Sequence, residues 1–203
     1  RLITDRLIKI LKFHRIRSDV TYSDKKRVAI FIPTYKRAHK LLKVYKNAKH
    51  SSPLINSVYF IVEKDDKDSI EALQKHRLPY FINERSRNYA GALNTAYLKT
   101  GEKYFFNGAD DLDFKPGWLE KCLGKMVDPI KVVGTNDLHY RDVLRGKHST
   151  HNLIDRDYVR MRSGIFDEDN LVFSESYLHN WVDREFVEIA KARHVFAPCL
   201  EAI

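Results

Sequence analysis

Residues 108–113 read Gly-Ala-Asp-Asp-Leu-Asp and bring the carboxylates of Asp110, Asp111 and Asp113 into one short turn. Carboxylate oxygens are hard ligands suited to Mg2+ or Mn2+, and an ion held by them can also grip a diphosphate. The turn is not a calcium-binding EF-hand loop. Counted from Asp111, the fifth position is Lys115 and the twelfth is Cys122, where oxygen ligands are required. Capping the helix that opens near Pro116 is the other use of such a turn, but a cap employs one carboxylate and three are present. A second acidic run, Glu63-Lys64-Asp65-Asp66, is either a ligand-reading edge or a solvated turn. A third acidic position, Asp183, stands three residues after Asn180, the spacing of a capping box, in a first turn where the helix dipole favours a negative charge. Between the first and third clusters, residues 139–162 carry Arg141, Arg145, Lys147, Arg156, Arg160 and Arg162 with His139, His148 and His151. Such a stretch can bind phosphates through charge and paired hydrogen bonds, or simply face solvent.

These residues need elements to hold them. Val28 to Ile32 form a continuous apolar run stopped by Pro33, which predicts a buried strand, and residues 58–62 repeat the pattern. Further strands are expected at 79–83, 104–107 and 131–134. Helices are expected at 38–49, 68–76 (with Asp68 and Glu71 as a capping box), 90–99, 116–126 and 180–193. Residues 139–162 lack apolar periodicity and read as a long functional loop. The order of the first eight elements alternates strand and helix, which argues for an α/β, Rossmann-like fold: a mostly parallel sheet flanked by helices. Ligands of such sheets sit outside the carboxyl ends of the strands, and the acidic clusters fall there.

With 203 residues, 43% of them hydrophobic, the chain suits one domain over residues 25–203. An amphipathic helix and polar linker are expected to precede it over residues 1–24. No apolar stretch reaches the roughly 18 residues of a spanning helix, so a soluble, cytoplasmic protein is expected. Cys122 and Cys199 suggest neither a disulfide framework nor a zinc site. The net charge of +9 favours encounters with polyanions, nucleic acid among them.

Three segments together resemble family 2 glycosyltransferases of the GT-A fold. Val28-Ala29-Ile30-Phe31-Ile32-Pro33-Thr34-Tyr35-Lys36-Arg37 resembles their first strand and nucleotide loop. Asn88-Tyr89-Ala90-Gly91-Ala92-Leu93-Asn94 resembles the segment before their metal strand, and Asp110-Asp111 with Pro116-Gly117-Trp118-Leu119 resembles their Asp-x-Asp region. One departure is that Gly108 stands where the first acid of that motif is usual.

The resemblance implies a metal-dependent, inverting transfer of a sugar from a nucleotide-sugar, with UDP the family default and Mn2+ or Mg2+ the cofactor. It implies Asp111 as metal ligand, with His179 substituting for a late ligand, and Asp183 as general base. Pro33, Thr34, Tyr35, Arg37, Glu63, Asp65, Asn88, Gly91, Asn94 and Asp110 are then the donor-binding candidates. His148, His151, Arg156 and Trp181 are the acceptor-binding ones. The segments around Val133, His148 and Tyr177 also look like small single-domain proteins of phage and actinobacterial genomes, some thought to glycosylate hydroxymethylated pyrimidines in DNA. A phage-encoded protein would act in the host cytoplasm. The alternative is a non-catalytic module of the same fold that holds nucleotide or nucleic acid, which would have no need of both Asp111 and Asp183.

Overall fold

The computed structural model of the protein describes residues 28–166, 168–177 and 181–203. The helix expected at the N-terminus and the candidate ligand His179 lie outside these residues. Seven strands form one sheet: β1 (Val28–Thr34), β2 (Ile55–Val62), β3 (Tyr80–Ile82), β4 (Tyr104–Asn107), β5 (Val132–Thr135), β6 (Asn152–Asp155) and β7 (Phe196–Cys199). Their order is β3-β2-β1-β4-β6-β5-β7. Every pairing is parallel except those of β6, which runs antiparallel to β4 and β5. The expected α/β architecture is therefore the one observed.

Side-chain alternation along β1 divides the core into two layers. Val28, Ile30 and Ile32 face α1 (Leu41–Ser51) and α4 (Trp118–Lys125), where Leu41, Val44, Trp118 and Leu119 are buried with them. Ala29 and Phe31 face α3 (Tyr89–Lys99) and α7 (Val182–Ala192), against Leu93, Tyr97, Phe186 and Val187. Phe31 stacks on Phe105 at 5.3 Å between centroids. Burying each such ring contributes about 1.5–3 kcal/mol. Being covered on both faces is what makes the strand read as an unbroken apolar run.

Two local expectations change. Helix α2 (Lys67–Lys75) is capped by Asp66, whose carboxylate accepts from Ser69 N, and not by Asp68. The stretch 139–162 is not one loop: it holds α5 (Arg141–Leu144), the interior strand β6 and α6 (Arg156–Arg162). Cys122 and Cys199, distant in sequence, are buried free thiols that lie against each other between α4 and β7. Among the described residues no helix is long and apolar enough to cross a membrane.

Candidate active site

Parallel strands put their carboxyl ends on one edge, and the reversed strand β6 puts its first residue there. The pairings Phe31 with Asn107 and Phe106 with Leu153 align these ends. Asn107 is the hub of the edge. Its amide donates to Thr150 O at 3.1 Å, its oxygen accepts from Asn152 N at 2.6 Å, and its carbonyl accepts from His151 Nδ1 at 2.8 Å. The next residue, Gly108, donates its N–H to Phe31 O, and a Cβ there would meet that oxygen at 3.2 Å. The close approach of two strand ends accounts for glycine where the resemblance expects an acid.

The three carboxylates of the 108–113 turn have separate fates. Asp110 is buried; it accepts from Thr34 Oγ1 at 2.7 Å and from Arg37 at 2.6 Å, fastening the loop after β1 to the loop after β4. The charge of Asp110, followed by its hydrogen bond, raises the pKa of Arg37 further, so this guanidinium is a fixed cation. Asp113 turns away to Asn47 on α1 and to Lys115. Asp111 is 59% exposed, with only a 3.5 Å contact to Arg37, and is the carboxylate open to a ligand.

His151 and Asp111 line one cavity of about 310 Å3. Burial lowers the His151 pKa and keeps its ring neutral. Because Nδ1–H donates to Asn107 O, Nε2 carries the lone pair. One carboxylate and one neutral imidazole are a donor set that a Mn2+ or Mg2+ ion accepts. Among the described residues no three His, Cys, Asp or Glu side chains converge to hold a metal unaided, so the remaining ligands would come from a bound diphosphate and water.

At the ends of β1 and β2, Tyr35, Asp65 and Arg87 form an exposed group. Arg87 donates to Asp65 and to Tyr35 Oη, each at 2.6 Å, and lies 5.0 Å from the tyrosine centroid. The hydrogen bond from Arg87 is the main reason Asp65 sits below the usual carboxylate range. Glu63 accepts from Asn83, and Pro33 stays within β1. Arg87 was missing from the sequence candidates; no pattern in one chain marks it.

Asn88, Gly91 and Asn94 serve the scaffold. Asn88 caps α3 by accepting from Gly91 N and donates to Glu175 O and Tyr177 O. A Cβ on Gly91 would lie 2.0 Å from Ser86 O. Asn94, fully buried, bonds Phe173 O, Glu175, Val172 N and Phe173 N. These residues anchor segment 171–177, which leads toward α7, and their polar atoms are occupied.

Beyond that segment lies a larger cavity of about 580 Å3, walled by Tyr89, Tyr140, Arg141, His148, Thr150, His151, Trp181, Asp183 and Arg184 among others. Asp183 accepts from His148 Nε2 at 3.0 Å. His148 is buried and its Nδ1 has no hydrogen-bond partner. Burial pushes the Asp183 carboxyl up, but the His148 hydrogen bond and charge, with backbone N–H groups of the first turn, outweigh it and hold the pKa below the ordinary value. Asp183 is thus a carboxylate facing a cavity. The residue capping α7 is Trp181, at φ 77° and without a side-chain cap bond, and the expected capping-box partner Asn180 lies outside the described residues. Burial raises the Tyr89 pKa, and its neutral hydroxyl reaches Gly108 O at 3.2 Å on the cavity floor.

Arg156 is not on this wall. Its guanidinium is buried under α3, donating to Tyr97 O, Glu102 O and Thr100 Oγ1. Arg160 pairs with Asp157 on α6. The basic stretch is thus split between two faces, because β6 carries the chain from the ligand edge to the opposite edge of the sheet.

The described fold is similar to solved glycosyltransferases. One is the mannosyltransferase PcManGT from Pyrobaculum calidifontis in complex with GDP-Man and Mn2+, with 16% identity, a TM-score of 0.66, and coverage of 97% of this chain and 63% of that one. Another is glucosyl-3-phosphoglycerate synthase from Mycobacterium tuberculosis, solved with UDP at 12% identity and a TM-score of 0.63, covering 85% of this chain and 69% of that one. The same synthase with Mn2+, UDP-Glc and phosphoglyceric acid aligns at 10% identity and a TM-score of 0.64 over the same shares. The chain therefore spans less than two thirds of the mannosyltransferase's length. No curated protein matches the sequence. The model of glycosyl transferase family 2 matches residues 29–187, from β1 into α7 and across every element of the site, so the chain belongs to that family of glycosyltransferases.

Proposed function

We propose that this chain transfers a sugar from a UDP-sugar to an acceptor hydroxyl with inversion at the anomeric carbon. The observation that carries the reading is Asp183, an ionised carboxylate held by His148 on the wall of the cavity that also contains His151. The donor complexes of the two structural neighbours, with GDP-Man and UDP-Glc, support a nucleotide-sugar. Tyr35, Asp65 and Arg87 would take the nucleobase, and Thr34, Arg37 and Asp110 would frame the ribose and diphosphate. Asp111 and His151 would hold the Mn2+ or Mg2+ ion, which neutralises charge on the leaving diphosphate when bound. In the transfer the acceptor oxygen bonds to the anomeric carbon, the bond from that carbon to the diphosphate oxygen breaks, and the hydroxyl proton passes to Asp183. A hydroxymethylated pyrimidine in DNA is one acceptor consistent with the net charge of +9.

The test is incubation with a panel of nucleotide sugars and Mn2+, with and without acceptors, measuring nucleoside diphosphate release. Release with UDP-sugars is expected. No release under any condition would favour the non-catalytic module.

A further inference from the structure

Resting on the reading just given, we propose that the 580 Å3 cavity selects an acceptor in which a ring and a neighbouring phosphate are joined: the ring seats against Trp181 and Tyr140, and the phosphate pairs with Arg141 and Arg184. Trp181 and Tyr140 are 63% and 56% exposed although both line the cavity that contains Asp183. Neither ring stacks on the other among the described residues; Tyr140 makes an edge contact with His139, and Trp181 lies 5.8 Å from the Arg184 guanidinium. Large aromatic faces left open beside an ionised carboxylate suit the face of a sugar or a base, which has apolar area but few groups to bond. Trp181 adopts φ 77°, a left-handed conformation that a bulky residue rarely takes, and it does so at the mouth of this cavity. Backbone strain of this kind is retained where the side chain must point one way.

The cationic half is equally specific. Among the described residues Arg141 has no ion-pair partner, and the one ion pair of Arg184 is with Asp142, at 3.5 Å with both partners more than 40% exposed. That is a weak surface pair which a phosphate, taking paired bonds from a guanidinium, displaces readily. The lower wall is different: His148 is engaged with Asp183, and His151 with Asn107. The ring and the phosphate are therefore read by Trp181, Tyr140, Arg141 and Arg184, and the reacting hydroxyl by Asp183, which His148 holds in place. Sugar phosphates and nucleotides within a strand both present this chemistry.

The experiment measures acceptor KM with UDP-sugar and Mn2+ for four probes: a hexose phosphate, a methyl hexoside, glycerol 3-phosphate, and a single-stranded oligonucleotide containing hydroxymethylcytosine. The hexose phosphate or the oligonucleotide is expected to be preferred by at least tenfold, and which one wins identifies the source of the ring. Trp181→Ala should raise KM for the preferred acceptor roughly tenfold, as loss of a stacking platform does. Trp181→Phe should restore most of it. Arg141→Gln with Arg184→Gln should raise KM for phosphorylated probes and leave the methyl hexoside unmoved. UDP affinity, measured by calorimetry in each variant, reports separately on the donor site. Equal use of glycerol 3-phosphate, or an unmoved KM in Trp181→Ala, with UDP binding intact, overturns the acceptor proposal alone. Absence of UDP binding in the unaltered protein overturns the transferase reading and the proposal together.

Discussion

Replacing Asn94 by Ala separates a structural asparagine from a donor-binding one. The side chain is fully buried in the middle of α3 and makes four hydrogen bonds to segment 171–175, at 2.8, 2.9, 3.0 and 3.2 Å. Truncation strands the N–H groups of Val172 and Phe173 and one bond of Phe173 O inside the protein. Each buried group left unpaired costs about 1–3 kcal/mol. Water entering the vacated space recovers part of this, and alanine's better helix propensity returns up to about 0.7 kcal/mol. A net loss of about 3 kcal/mol follows, a large share of the roughly 5–15 kcal/mol that holds a domain folded. For a chain of this size that lowers Tm by roughly 6–12 °C. The assay is urea and thermal unfolding beside UDP calorimetry at a temperature where the variant is folded. Asn94→Asp, which keeps the shape but turns a donor toward Glu175 into a second acid, should be worse at neutral pH and recover as pH falls. A loss below about 1 kcal/mol accompanied by weakened UDP binding would refute this reasoning and restore Asn94 to the donor pocket.

Asp111→Asn should abolish the dependence of UDP affinity on Mn2+, read by calorimetry with and without chelator; undiminished metal dependence would remove Asp111 from the ion. Asp183→Asn should cut transfer by roughly 100-fold or more while UDP affinity holds, since a lost general base costs about that much. The Asp183 pKa is depressed in the folded protein, so its contribution to stability is present above the unfolded carboxyl pKa and is lost as pH falls through the folded one. Asp183→Asn should accordingly flatten the acid side of the Tm-versus-pH curve; an unchanged curve would contradict the His148 contact. Arg156→Gln should destabilise the protein by about 2–4 kcal/mol, as loss of a buried charged hydrogen-bonding group does, without moving acceptor KM.

The parallel half of the sheet was legible because burial on both faces leaves an unmistakable apolar run, as in Val28 to Ile32. Strand β6 was not. It offers only Leu153 and Ile154 between Asn152 and Asp155, and those polar ends are buried with Asn152 accepting from Ser149 Oγ and Asp155 accepting from Lys103. The acidic turn announced its chemistry, but which carboxylate stays open was decided by Thr34, Arg37 and Asn47, all distant in sequence. Arg87, Tyr89 and Asn107 carry no signal in isolation; their roles come from the strand ends that meet around them. Asp183 was expected in the first turn of a helix and stands in the first turn of α7, with Trp181 at the cap position.

The reversal of β6 gives the cavity walls of unequal stiffness. Thr150 and His151 are tied by short bonds to Asn107 at the end of the interior strand β4, so that part of the wall moves only if the sheet does, while His148 is bonded to Asp183 on α7. Tyr140 and Arg141 ride on a single helical turn, and Trp181 on a helix start without a side-chain cap. Substitutions at the exposed side chains of Tyr140, Arg141, Trp181 and Arg184 can change which acceptor is taken while the contact of Asp183 with His148 is kept. In a lineage, preference for the acceptor could then drift while the chemistry stayed constant, and a directed-evolution library confined to residues 138–145 and 181–184, leaving Asp183 untouched, would sample that freedom.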